Sequence, residues 1–101
     1  MNLLTLNYNR DNYFSIYENV FYELVKNVIS NTKNVKLFDS RISLVDNKTN
    51  INIFVDIKIL NKKSDDTENI FRLITQEIEK EVELLIDTKP KNIQICLLGY
   101  Y

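Results

Sequence analysis

The segment Ile51-Asn52-Ile53-Phe54-Val55-Asp56-Ile57-Lys58-Ile59-Leu60 alternates without a break, with Ile51, Ile53, Val55, Ile57 and Ile59 all at odd positions. A β-branched run at period two fits a pleated strand with one buried face and little else. Such a strand cannot stand alone. Its isoleucine face must be covered by other elements. Its second face, with Asn52, Phe54, Asp56, Lys58 and Leu60, must look the other way.

Two segments at helical period supply the cover. Ser15-Ile16-Tyr17-Glu18 has the spacing of a capping box. Val20, Phe21, Leu24, Val25, Val28 and Ile29 then recur on one side of a helix. This predicts a helix over Ile16–Ser30, with Asn31 and Asn34 as exits in place of the usual glycine. Ile70, Phe71, Ile74, Ile78, Val82 and Leu85 form a second stripe, opened by Asp65 with Glu68 and closed by Thr88-Lys89-Pro90-Lys91. It predicts a helix over Asp65–Ile86. Arg41–Val45 reads as a strand joined to the long one by a hairpin loop at Asp46-Asn47-Lys48-Thr49-Asn50. Asn92–Leu98 reads as the last strand, with Ile93, Ile95 and Leu97 on one face. At the start, Leu3-Leu4-Thr5-Leu6 half-alternates, as an edge strand or a packed tail. Asn9-Arg10-Asp11-Asn12 reads as a turn and Tyr13–Ser15 as a short strand.

The order is (β)-α-β-β-α-β. It predicts a two-layer α+β domain with both amphipathic helices packed on one face of a small sheet. Residues 1–12 are the N-terminal strand or packed tail. Residues 13–101 are a single domain, since 101 residues leave no room for a second.

Residue content excludes whole classes of chemistry. The one glycine, Gly99, cannot build a phosphate loop or a dinucleotide fingerprint. With no histidine there is no Ser-His or Cys-His pair and no imidazole metal ligand, and the lone Cys96 makes neither a disulfide nor a zinc cage. No catalytic residue, cofactor or metal is expected. Thirteen basic residues against fourteen acidic ones give a net charge of −1, with no basic face for phosphates. Lys62-Lys63 and Lys89 with Lys91 read as loop charges, and no nucleic acid is expected. The N-terminal residues lack a cationic leader, and no run approaches the roughly 20 apolar residues of a membrane span. The expected location is the cytoplasm, where a single free thiol stays reduced.

From Tyr13 to Gly99 the pattern resembles the alkaline shock protein family of the cell-envelope stress response. Phe14-Ser15-Ile16-Tyr17-Glu18-Asn19-Val20 looks like that family's short leading strand and capped first helix. Ile51 to Ile59 looks like its long alternating strand. Glu77-Ile78-Glu79-Lys80-Glu81-Val82-Glu83-Leu84-Leu85-Ile86-Asp87-Thr88 is similar to its second helix, and Asn92 to Gly99 is similar to its final strand. Lys89-Pro90 stands where the family carries a glycine after Thr88. Val28 and Asn34 stand where the family carries smaller residues. The resemblance implies a non-enzymatic, cytoplasmic module that sits near the membrane by binding a membrane-anchored partner or itself.

Two surfaces are candidates for that role. On the second face of the sheet, Phe54, Leu60, Cys96 and Leu98 point away from the helices. Either the Leu3-Leu4-Leu6 segment covers them, or a second molecule does. Cys96 itself reads as a small buried hydrophobe, as lone strand cysteines usually are. On the second helix, Glu77 with Glu81 and Glu79 with Glu83 are like-charge pairs four apart. They read either as a docking face for a basic segment or as a solvated surface. A competing reading is an RNA- or ribosome-associated domain, because an α-β-β-α-β core also resembles the K-homology-like fold of ribosome-binding factor A. That fold's loop needs Gly-x-x-Gly, which this chain lacks.

Overall fold

The computed structural model describes residues 3–9, 12–60 and 67–101, leaving aside the side chains of residues 6–9 and 12–14. The chain runs β1 (Leu3–Asn9), β2 (Asn12–Tyr17), α1 (Glu18–Ser30), β3 (Val35–Val45), β4 (Asn50–Ile59), α2 (Thr67–Ile86) and β5 (Asn92–Tyr100). It is an α+β domain in which two helices cover one face of a sheet.

The sheet has the order β3-β4-β5, so the alternating isoleucine strand β4 is central. β3 pairs with it antiparallel through a tight turn, while β5 pairs parallel after the α2 crossover. A parallel neighbour needs a crossover of this kind, and a helix is the usual one. Asp46, Asn47 and Lys48 form the turn with three consecutive positive φ values, 54°, 59° and 64°. β4 alternates buried and half-buried along its whole length. Ile51, Ile53, Val55, Ile57 and Ile59 have no exposed surface and meet Phe21, Val25 and Ile29 of α1 and Ile74, Ile78 and Val82 of α2 in one core. No polar or charged residue is buried with them among the described residues.

The capping box at Ser15 is not formed. Ser15 pairs with Thr5 in the β1–β2 hairpin, and the helix starts only where that pairing ends. Tyr17 occupies the N-cap position with extended φ and ψ and no side-chain cap. Strand pairing over residues 12–17 satisfies more backbone groups than one hydroxyl cap would. The described part of the tail, Leu3–Asn9, is thus a strand, and it pairs with Asn12–Tyr17 at the start of 13–101. The expected cap at Asp65 and the Lys62-Lys63 pair lie outside the described residues.

β3 begins six residues earlier than the expected Arg41, because a bulge between Leu37 and Asp39 resets its alternation. Val35 and Leu37 pack against the core before the bulge, and Ile42 and Leu44 do so after it. A period-two reading fails across such an insertion. At the helix exits, Asn34 takes the left-handed conformation at φ 66°, while Asn31 stays at φ −92°. Asp87, at φ 60°, does the same for α2. The buried row of α2 ends on Ile86, and Leu85 is 40% exposed.

Candidate interaction surface

The face of the sheet turned away from the helices carries only exposed and half-buried side chains among the described residues. Phe54 is half-buried at the centre of β4, between Arg41 of β3 and Gln94 of β5 in the register. Asp56 lies opposite Cys96, so Cys96 points outward on the last strand of the sheet and is exposed. The expectation of a buried thiol is therefore corrected: β5 borders the sheet, even its helix-facing positions are only half-buried, and Cys96 belongs to its exposed set. Leu98 is 45% exposed. Leu60 is half-buried just beyond β4, where its amide donates to the Asn34 carbonyl.

Leu4 does not cover this face. It is fully buried within the helix-side core, and the Thr5 amide donates to the Lys48 carbonyl at the β3–β4 turn. Cations and rings from the sheet itself partly mask the face instead. The Arg41 guanidinium lies 5.1 Å from the Phe54 ring centre. Lys58 Nζ lies 5.5 Å from that of Phe38, and Lys36 Nζ 5.8 Å from that of Tyr101. Each such contact is worth about 0.5–1 kcal/mol at an exposed site. Phe38 remains 65% exposed all the same. Lys36 and Phe38 escape sequence reasoning because Lys36 precedes the bulge and Phe38 sits within it, in the half of β3 that alternation does not reveal.

The four glutamates of α2 do not share one surface. Two residues turn a helix by about 200°, which sets Glu77 and Glu81 apart from Glu79 and Glu83. Glu77 and Glu81 border a groove of about 660 Å3 between the helices, with Leu24, Val28, Lys33 and Leu73. Glu83 is exposed and Glu79 half-buried. Among the described residues no group of His, Cys, Asp and Glu could hold a metal ion, and no helix is long and apolar enough to cross a membrane.

Fold and surface together define a small two-layer α+β domain with one sheet face covered by helices and the other presented outward, carrying rings and apolar side chains. No protein-family model, curated protein or solved structure matches the chain.

Proposed function

We propose that this protein is a non-enzymatic interaction module that docks a protein partner on the outer face of its β3-β4-β5 sheet. The partner is a membrane-anchored protein or a second copy, and the setting is the cytoplasmic side of the cell envelope. One observation carries the reading. Phe38, Phe54, Leu98 and Cys96 share a face that the described part of β1 leaves open, with Leu4 committed to the opposite side. Water does not select such a set, and apolar side chains gathered on one face are a common mark of a binding surface. The resemblance to the alkaline shock protein family supports the envelope setting and the partner-mediated location. A few hundred Å2 of apolar area at about 25 cal/mol per Å2 yields several kcal/mol before the loss of rigid-body freedom, which suits a reversible complex.

Phe54→Lys tests the reading. The circular dichroism spectrum is expected to stay unchanged, while self-association by light scattering, or recovery of the protein with membranes on fractionation, weakens. If neither quantity moves, the face is not a docking surface.

The RNA-associated reading gains one observation from the structure: Lys36, Arg41 and Lys58 accompany three rings on this face. Stacking platforms for single-stranded nucleic acid combine the same residue types. Here each cation already lies over a ring of the protein, and Asp39 and Asp56 stand opposite each other in the same sheet. Gel shifts at physiological salt are expected to show only weak, salt-sensitive association. Submicromolar binding would reverse the order of the two readings.

A further inference from the structure

The two edges of the β3-β4-β5 sheet are built differently. On β3 the free edge is closed off. The Ile42 amide donates to the Tyr22 hydroxyl of α1 at 3.2 Å, and the Ser40 amide donates to the Asp39 carboxylate at 2.9 Å. Lys36, Asp39 and Arg41 put charge along the strand, and the bulge at Leu37–Asp39 breaks its line. These are the devices by which sheet proteins keep an edge from pairing.

β5 shares only the bulge, at Leu98, where its register with β4 passes from Leu97 to Gly99, and lacks the caps and the charges. Asn92-Ile93-Gln94-Ile95-Cys96-Leu97-Leu98-Gly99-Tyr100 carries no charge and no proline. Its pairing with β4 is framed by the Lys91 amide donating to the Ile51 carbonyl and the Tyr101 amide donating to the Ile59 carbonyl. Among the described residues no strand pairs with its other edge, and no side chain caps an amide there. Ile93, Ile95 and Leu97 pack against the core but stay only half-buried, unlike their fully buried neighbours on β4. The outer strand of the sheet is thus uncharged, apolar and incompletely covered.

We infer that β5 pairs antiparallel with β5 of a second copy, joining two three-stranded sheets into one of six strands. The inference rests on the proposed interaction role and names its partner. A second copy fits because the strand has no charge with which to select a different sequence. Its two halves also match about the centre. Overlap of β5 with itself about Cys96 sets Cys96 opposite Cys96 of the other copy and Ile95 opposite Leu97, with the bulge at Leu98 just outside these pairs. The half-buried row of one copy would then cover that of the other, and the two outer faces would become one continuous surface. Nine residues span about 30 Å and a sheet with its side chains is about 10 Å thick. The strip therefore buries roughly 600 Å2 in total, below the ~1,200 Å2 of the smallest stable interfaces. The dimer is accordingly one that dissociates on dilution.

Cys96 supplies its own probe. Opposed residues of antiparallel strands have Cα atoms about 4.5–5.5 Å apart, within the span of a disulfide. Sedimentation across a concentration series up to about 1 mM is expected to show a monomer–dimer equilibrium. Copper phenanthroline is expected to trap the dimer through Cys96, and amide exchange over Asn92–Tyr100 to slow as concentration rises. Cys96→Lys places like charges at the two-fold axis and is expected to raise the dissociation constant roughly five-fold or more with an unchanged melt. A protein that stays monomeric throughout, with no concentration-dependent protection of β5, overturns the inference. So does cross-linking through Phe54→Cys in a Cys96→Ser background without cross-linking of native Cys96, which would mean stacking face to face and would leave the outer-face reading intact. Trapping through Cys96 together with an inert Phe54→Lys keeps the edge pairing and removes the outer-face reading.

Discussion

Ile53 is the residue at which the packing can be tested most severely. It has no exposed surface and sits in the central strand, opposite Ile42 on one side and Ile93 on the other. Backbone pairing on both sides prevents β4 from moving to fill a hole. Ile53→Ala should therefore fall in the upper part of the 2–5 kcal/mol range for truncation of a buried isoleucine, at about 4 kcal/mol. A domain of 101 residues has about 5–15 kcal/mol of stability in all, and 1 kcal/mol moves its melting point by about 4–8 °C. The expected fall is roughly 15–30 °C. Ile53→Asp goes further, since a carboxylate would enter a core that offers no polar partner. Burial penalises the charged form, so its folded-state pKa would lie above the ~3.9 of the unfolded chain. The folded state then binds the extra proton, and stability is lost as pH rises through the raised value. Ile53→Asp is expected to be largely unfolded near neutral pH and to regain structure on acidification relative to the parent, whereas Ile53→Ala shows no such difference. Circular dichroism melts and urea titrations of the three proteins at both pH values measure this. A cooperative melt of Ile53→Asp near the parent temperature at neutral pH would refute the placement of β4.

Backbone conformation and surface charge yield further tests. Asn34 at φ 66° can be replaced by glycine with little change, whereas Asn34→Ala should lower the urea-derived stability by about 1 kcal/mol. Lys48, at φ 64° in the turn, is a position where glycine should raise stability by roughly 0.5–1 kcal/mol in the same assay. The Lys91–Asp46 ion pair, 3.1 Å long with both side chains about half exposed, should contribute under ~1 kcal/mol. Lys91→Met is accordingly expected to shift the melt only slightly.

What the sequence alone settles is set by neighbours along the chain. The isoleucine rows of β4 and of α2, the turn after Val45 and the alternation that sets Phe54 and Cys96 away from the helices all follow from local sequence, because backbone geometry spaces side chains the same way wherever the element sits. Long-range pairing decides the rest. Ser15 has the letters of a helix cap, yet its partner is Thr5, ten residues away, and strand pairing wins. The bulge of β3 hides Lys36 and Phe38 from any period, so the cation and ring contacts become visible only once register sets them across from β4 and β5. The contrast between a capped β3 edge and a bare β5 edge is likewise a property of strand order. Sequence shows that Asn92–Tyr100 is uncharged; only the sheet shows that it lies at the border, with one side of its backbone facing outward.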